Sequence, residues 1–203
     1  VFSRYVIDLN RPPDDAPMYP GASNTELCPT RFFTGNPLYK EGRQPDADEK
    51  LRRREIYWQP YHQALSGELS RLRSLHENVL LWDAHSIRGE IPWLFDGKLP
   101  DLNVGTANGL AAAESVGLAV MEVCSQQEQF THVLNGRFKG GYITRCYGNP
   151  QGGIHAVQLE KCQSVYMNEL PPYEYKPELA AQVQPLLHKM VAAALNQVKS
   201  LSL

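Results

Sequence analysis

Hydrophobic and polar positions follow two spacings along this chain. Asn78–Ala84 is a continuous apolar run that ends at His85-Ser86, the pattern of a strand buried on both faces. Ile154–Glu160 alternates, which predicts a strand with Gln158 and Glu160 on one face and Leu159 on the other. Thr131–Leu134 and the β-branched stretch Tyr5–Ile7 predict two further short strands. Between them the apolar spacing becomes helical. Leu51, Ile56, Tyr57, Tyr61, Leu65, Leu69, Leu72 and Leu75 predict a long helix over 46–77, with Pro60 kinking or restarting it. A second helix is expected over 110–127. A third, amphipathic one is expected over 177–200, carrying Leu179, Val183, Leu186, Leu187, Met190 and Leu195. Strands that alternate with helices predict an α/β fold: a single-domain mixed sheet over 1–203, flanked by helices.

The intervening stretches are polar and rich in glycine and proline. Residues 12–45 predict a long irregular excursion punctuated by Tyr19, Phe32, Phe33 and Tyr39, and loops of that length inside a domain are commonly functional. Residues 89–109 read as loop. Residues 135–149 hold Gly136, Gly140, Gly141 and Gly148 and predict turns around a short strand at Tyr142–Thr144. The chain starts at Val1 in what reads as a strand already under way. It is read either as a processed start or as a piece that lacks its first strands and helix.

Composition narrows the function. A chain of 203 residues with 42% hydrophobic and 21% charged residues builds one sizeable core. A net charge of −2, without a basic-aromatic pattern, argues against a nucleic-acid module. No run of about 18 apolar residues is present, so no membrane helix is expected. The four cysteines, at 28, 124, 146 and 162, contain no Cys-x-x-Cys pair and are expected as reduced thiols in the cytoplasm. Oligomeric state is not legible.

Three groups of residues could carry chemistry, each expected at a strand end, where ligands of α/β folds gather. Arg4 with Asp8-Leu9-Asn10-Arg11 places two planar guanidinium forks and an amide together, suited to a carboxylate. Solvated arginines at a strand end are the plainer alternative. Asp83-Ala84-His85-Ser86 offers an imidazole for a metal, with a carboxylate two residues earlier to steady it. A lone histidine is more often a satisfied structural residue. Glu160, on the face it shares with Gln158, could act as a general base, or stand as an exposed strand glutamate. Between the last two groups, residues 135–145 carry Arg137, Lys139 and Arg145 and no acid, an anion pocket without the Walker order of a phosphate loop.

Taken together, the stretches 3–13, 81–88, 99–106, 135–145 and 155–167 resemble the N-formylglutamate amidohydrolase family of the zinc carboxypeptidase and aspartoacylase superfamily. The resemblance covers nearly the whole chain. It implies a zinc carboxypeptidase-like (phosphorylase/hydrolase-like) fold and hydrolysis of a small molecule, N-formyl-L-glutamate, to formate and L-glutamate in histidine breakdown. It implies Zn2+ held by three protein ligands, of which His85 matches the third. The first two would precede the Arg4 stretch, and no histidine precedes His62. It implies Glu160 as the base, Arg4 as the group polarising the carbonyl, and Asn10 with Arg11 as the grip on the α-carboxylate. Arg137 and Arg145 are candidates for the side-chain carboxylate, unranked, with Lys139 behind them. Cys146 departs from the family pattern, where histidine is expected. The alternatives are another N-acyl amino acid amidohydrolase of the superfamily, or a non-catalytic homologue that binds an acidic amino acid.

Overall fold

The apolar run at 78–84 becomes a sheet strand, and the alternating run after Gly153 becomes its neighbour. The computed structural model describes residues 2–18, 21 and 23–202. Its strands are β1 (Val79–Ile87), β2 (Leu102–Gly105), β3 (His132–Leu134) and β4 (Ile154–Cys162), in the order β1-β4-β2-β3. β1 runs parallel to β4, β2 runs parallel to β3, and β2 runs antiparallel to β4, so the sheet is mixed. The helices are α1 (Ala47–Arg53), α2 (Gln59–Arg73), α3 (Glu114–Ser125), α4 (Tyr142–Tyr147) and α5 (Pro177–Lys199).

The chain divides into two compact units, one of residues 1–70 and 91–97, the other of 71–90 and 98–203. The first is built on Ile7, Leu27 and Cys28, with Val6, Leu9, Tyr57 and Trp58 packed around them. Among the described residues, its long excursion stays irregular apart from one isolated bridge, Arg31 to Pro37. Aromatic groups brace it: Trp93 donates its indole N–H to Phe33 O at 2.8 Å, and Arg53 donates to the Tyr39 hydroxyl at 3.1 Å. Tyr19 lies outside the described residues. Within the helical stretch, α1 and α2 are joined by a π-helical segment, Arg54–Trp58, where Gln59 N–H bonds back to Arg54 O. Pro60 has no N–H for the ordinary helical bond, and the widened turn just before it accommodates that loss without breaking the helix.

The second unit holds the sheet. Register settles its two faces. On one face lie Asp83 and His85 of β1, Gln158 and Glu160 of β4, and Asn103 and Gly105 of β2. On the other lie Val104, Leu134, Val157 and Leu159. α3 covers that apolar face, with Gly117 against Leu134, and α5 packs on α3. α4 and the loop leading into it cover the polar face. Gly105 is required there, because a Cβ at that position would sit 2.6 Å from Gly140 N and from the Lys139 carbonyl carbon.

Five expectations fail. β1 is not buried on both faces: it ends the strand order, is mostly half-buried and leaves Ala84 exposed. Tyr5–Ile7 is not a strand; Val6 N–H bonds Ser3 O, and Arg4 pairs with Asp8, which together curl the segment into a turn. Residues 89–109 are not all loop, since β2 lies within them. Tyr142–Thr144 is the start of α4 rather than a strand. His85 does not follow β1 but sits inside it, two residues before its end. The helix over 110–127 shortens to α3, and α5 fits its expected span.

Gly105→Ala is expected to lower unfolding stability by about 1–3 kcal/mol, because backbone must move to admit the methyl group. Gly67→Ala, where nothing lies within 4 Å, is expected to stabilise α2 by about 0.5–1 kcal/mol. Urea unfolding of both variants checks the pair, and equal effects would contradict this account of the sheet's polar face.

Candidate active site

The strands of the second unit bring two expected residues side by side. His85 and Glu160 are register partners across the parallel β1–β4 pair, so their side chains leave the same face at the same level. Asn103 on β2 is the partner of Glu160 on its other side, completing a row across three strands. The row one step below it contains Asp83, Gln158 and Gly105. Glu160 is only 8% exposed, and Gln158 is buried beside it.

Each polar group on this face needs a partner, because an unmatched buried one costs about 1–3 kcal/mol. Asp83 Oδ1 lies 2.8 Å from His85 Nε2. A carboxylate can only accept, so Nε2 carries the hydrogen of this bond. The buried Thr144 hydroxyl reaches the other Asp83 oxygen at 3.4 Å, linking α4 to the pair. Gln158 Oε1 accepts from Gly141 N–H at 2.6 Å and pins the start of α4. Asn103 donates from Nδ2 to Pro100 O at 2.7 Å and to Glu160 O at 3.1 Å, while its buried Oδ1 accepts nothing among the described residues. Asn103 and Thr144 lie in stretches that carry the family resemblance, but their residue types alone single out neither. The polar-in-apolar alternation of Leu102-Asn103-Val104 is the signal that marks Asn103.

In the first unit, Arg4, Asn10 and Arg11 gather on one buried carboxylate. Asp8 accepts from Arg4, lies 3.9 Å from Arg11 Nη1, and accepts Asn10 N–H at 3.0 Å. Burial alone would raise the Asp8 pKa. The charges of Arg4 and Arg11 and these hydrogen bonds outweigh it, so the group lies below its ordinary 3.8. Arg11 also donates to Thr25 O at 3.0 Å and to its hydroxyl, and Trp58 and His62 bind the carbonyls of Arg11 and Leu9. The arginines are thus structured groups, not loose ones at a strand end.

The two other cationic candidates differ in setting. Arg145 and Lys139 line a pocket of about 210 Å3 together with Ala107, Asn108, Leu110 and Ala111, and none of these is acidic. Arg137 is half-buried between β3 and α4 and is not part of that lining. Cys146 is exposed on α4, and all four cysteines are free thiols. A catalytic zinc takes three protein ligands and keeps one open position. His85 is an imidazole of the kind that can supply one. Among the described residues no group of three or more His, Cys, Asp or Glu could hold a metal ion, so these residues alone do not fit a complete centre. No described helix is long and apolar enough to cross a membrane.

The fold and this row define an α/β protein with a histidine and a glutamate in register on the covered polar face of a mixed sheet. The sequence model of the N-formylglutamate amidohydrolase family matches residues 1–167. An N-formylglutamate deformylase of Pseudomonas putida is 52% identical over 194 residues, 96% of this chain and 72% of that protein. Another from Pseudomonas aeruginosa is 47% identical over 194 residues, 96% of this chain and 73% of its own length. The crystal structure of an N-formylglutamate amidohydrolase from Ralstonia eutropha JMP134 superposes with a TM-score of 0.79 at 22% identity, covering 98% of this chain and 76% of that one. A gene product of Agrobacterium tumefaciens gives a TM-score of 0.70 at 17% identity, with 98% and 70% covered. These two structures establish the fold. The chain belongs to the N-formylglutamate amidohydrolase family.

The Asp8 cluster sets a pH dependence. A carboxyl whose folded pKa is depressed stabilises the protein fully above its unfolded pKa, and that contribution is lost as pH falls through the folded value. Asp8→Asn is expected to cost about 1–2 kcal/mol at pH 7, the exposed side of Arg4 keeping the figure modest. It is also expected to flatten the fall in stability below about pH 4. Urea titrations between pH 7 and pH 3 check both; an unchanged acid limb would mean that Asp8 is not held by the arginines.

Proposed function

We propose that this chain hydrolyses the amide of N-formyl-L-glutamate, giving formate and L-glutamate. The observation that carries the reading is the in-register pair of His85 and Glu160, with Asp83 on the imidazole, in a member of a family whose relatives are named for this reaction. Glu160 is the general base: it takes a proton from the attacking water and passes it to the departing nitrogen. Arg4 stabilises the oxyanion that forms on the carbonyl. Asn10 and Arg11 hold the α-carboxylate, for which a guanidinium fork is suited. A buried side-chain carboxylate needs a cation of its own. Arg137 and Arg145 are the candidates for that role, and Lys139 adds charge beside Arg145.

Zinc belongs to the same proposal, with His85 as one ligand, and rests on the family resemblance. So do a place in histidine breakdown and residence in the cytoplasm.

Glu160→Gln in the full protein is expected to lower turnover of N-formyl-L-glutamate by at least about 100-fold. A rate within about tenfold of the unmodified protein would remove Glu160 from the base role. N-acetyl and N-succinyl amino acids, assayed in parallel, are expected to react more slowly; a faster one would move the assignment to another acyl group. His85→Ala is expected to lower bound zinc, measured by elemental analysis after dialysis. Equal metal content in variant and parent would contradict its role as a ligand.

A further inference from the structure

Asn103 is buried in the middle of the sheet, 1% exposed, and none of the roles above uses it. Its chain neighbours Leu102 and Val104 are fully buried and apolar on the opposite face, while Asn103 shares the face of Glu160. Asparagine there leaves an acceptor, Oδ1, without a donor among the described residues. The orientation of the amide is not in question, because both Nδ2 hydrogens face carbonyl oxygens, Pro100 O at 2.7 Å and Glu160 O at 3.1 Å. The residue type is therefore explained by what its two donors do, not by satisfaction of its own polar atoms.

What they do is brace one point of β4. Asn103 is the register partner of Glu160, and its amide ties that residue's carbonyl to the segment entering β2. The same segment is fastened to the end of β4 again: Cys162 N–H donates to Asp101 O at 2.8 Å, and Cys162 Sγ lies 3.3 Å from Pro100 O. Glu160 thus sits inside a closed loop of hydrogen bonds running from Pro100 through Asn103 to β4 and back through Asp101. We propose that Asn103 is a positioning residue for Glu160, fixing the backbone from which the carboxylate projects. This rests on the reading of Glu160 as the base. Misplacement of a reacting group by about 1 Å can cost about 100-fold in rate, so a brace at this point acts on turnover more than on binding.

The test compares Asn103→Leu with Asn78→Leu in the full protein. Asn78 also donates its amide N–H to a distant carbonyl, Leu201 O at 2.7 Å, in the same unit, but away from the row. Asn103→Leu is expected to lower kcat at least tenfold with KM within twofold, whereas Asn78→Leu lowers the thermal midpoint and leaves kcat within twofold. Equal kcat effects at equal loss of stability would reduce Asn103 to a structural residue and overturn the proposal. Should leucine at 103 prevent folding, Asn103→Ser, which keeps one O–H donor, is expected to show a smaller loss of kcat; none at all overturns the proposal. A crystal structure of that variant gives a readout independent of turnover: the Glu160 carbonyl and carboxylate are expected to shift, and an unmoved Glu160 is the adverse result. Glu160→Gln, run alongside, separates the two ideas. If it keeps turnover, the base assignment has failed; if it loses turnover while the Asn103 variants do not, only the present inference has.

Discussion

The parallel register between β1 and β4 is the constraint on which the second unit depends. Side chains alternate along a strand, so a slip of one residue would send His85 to the opposite face from Glu160. The sheet resists that slip because both faces of β4 are committed. Val157 and Leu159 are buried on the apolar side, and Ala156, Gln158 and Glu160 are buried on the other. Val79 N–H bonds Gly153 O at 2.8 Å where the pair begins. Where it ends, Lys161 donates to His85 O at 3.1 Å and the hydroxyls of Ser86 and Tyr166 meet at 2.7 Å. The pairing is thus held at both ends and from both faces, and the two residues that need to be neighbours cannot drift apart singly.

Placing polar side chains on a covered face has a cost, and the structure offsets it locally. Gln158 meets the backbone at the start of α4, and Asp83 meets both His85 and Thr144. The cover itself is backbone brought very close to the sheet. Gly105 admits Lys139 and Gly140, and Gly140, at φ 120°, takes a conformation that a side chain would strain. Close cover excludes water from around Gln158, which strengthens its hydrogen bond to Gly141.

Much of this was legible in the sequence, and the parts that were not share a cause. The alternation of β4 gave Glu160 and Gln158 their common face without any tertiary information, and the apolar run at 78–84 gave β1. β2 escaped notice because the alternation of Leu102-Asn103-Val104 is too short to stand out in a stretch rich in glycine, proline and aspartate; it exists because β4 offers it a ladder. Tyr142-Ile143-Thr144 favours a strand by residue type, yet Ile143 and Thr144 are buried on a helix that α4 forms against Asp83 and Gln158. Tertiary contact overrode local preference there. At Tyr5–Ile7 the β-branched signal lost to a local ion pair four residues apart. Among the site residues, the types that accept, donate and carry charge could be read directly. The hub that joins Arg4 to Arg11 could not, because Asp8 looks like any turn aspartate until it is seen to be buried.

That hub also decides how the arginines of the first unit are held. Two guanidinium groups left loose would spend much of their attraction on becoming ordered when a carboxylate arrived. Asp8 orders them beforehand. Its carboxylate faces both guanidinium groups, so the two are held in place around it. Thr25 and the Asn10 carbonyl fix the Arg11 fork further, at 3.0 and 2.7 Å. A buried carboxylate pulled below its ordinary pKa stays ionised across the neutral range, so the arrangement does not loosen with moderate changes of pH. The cluster is an acidic group that orders two basic ones, so under the proposed role of Asn10 and Arg11 the fork is already set before a carboxylate arrives.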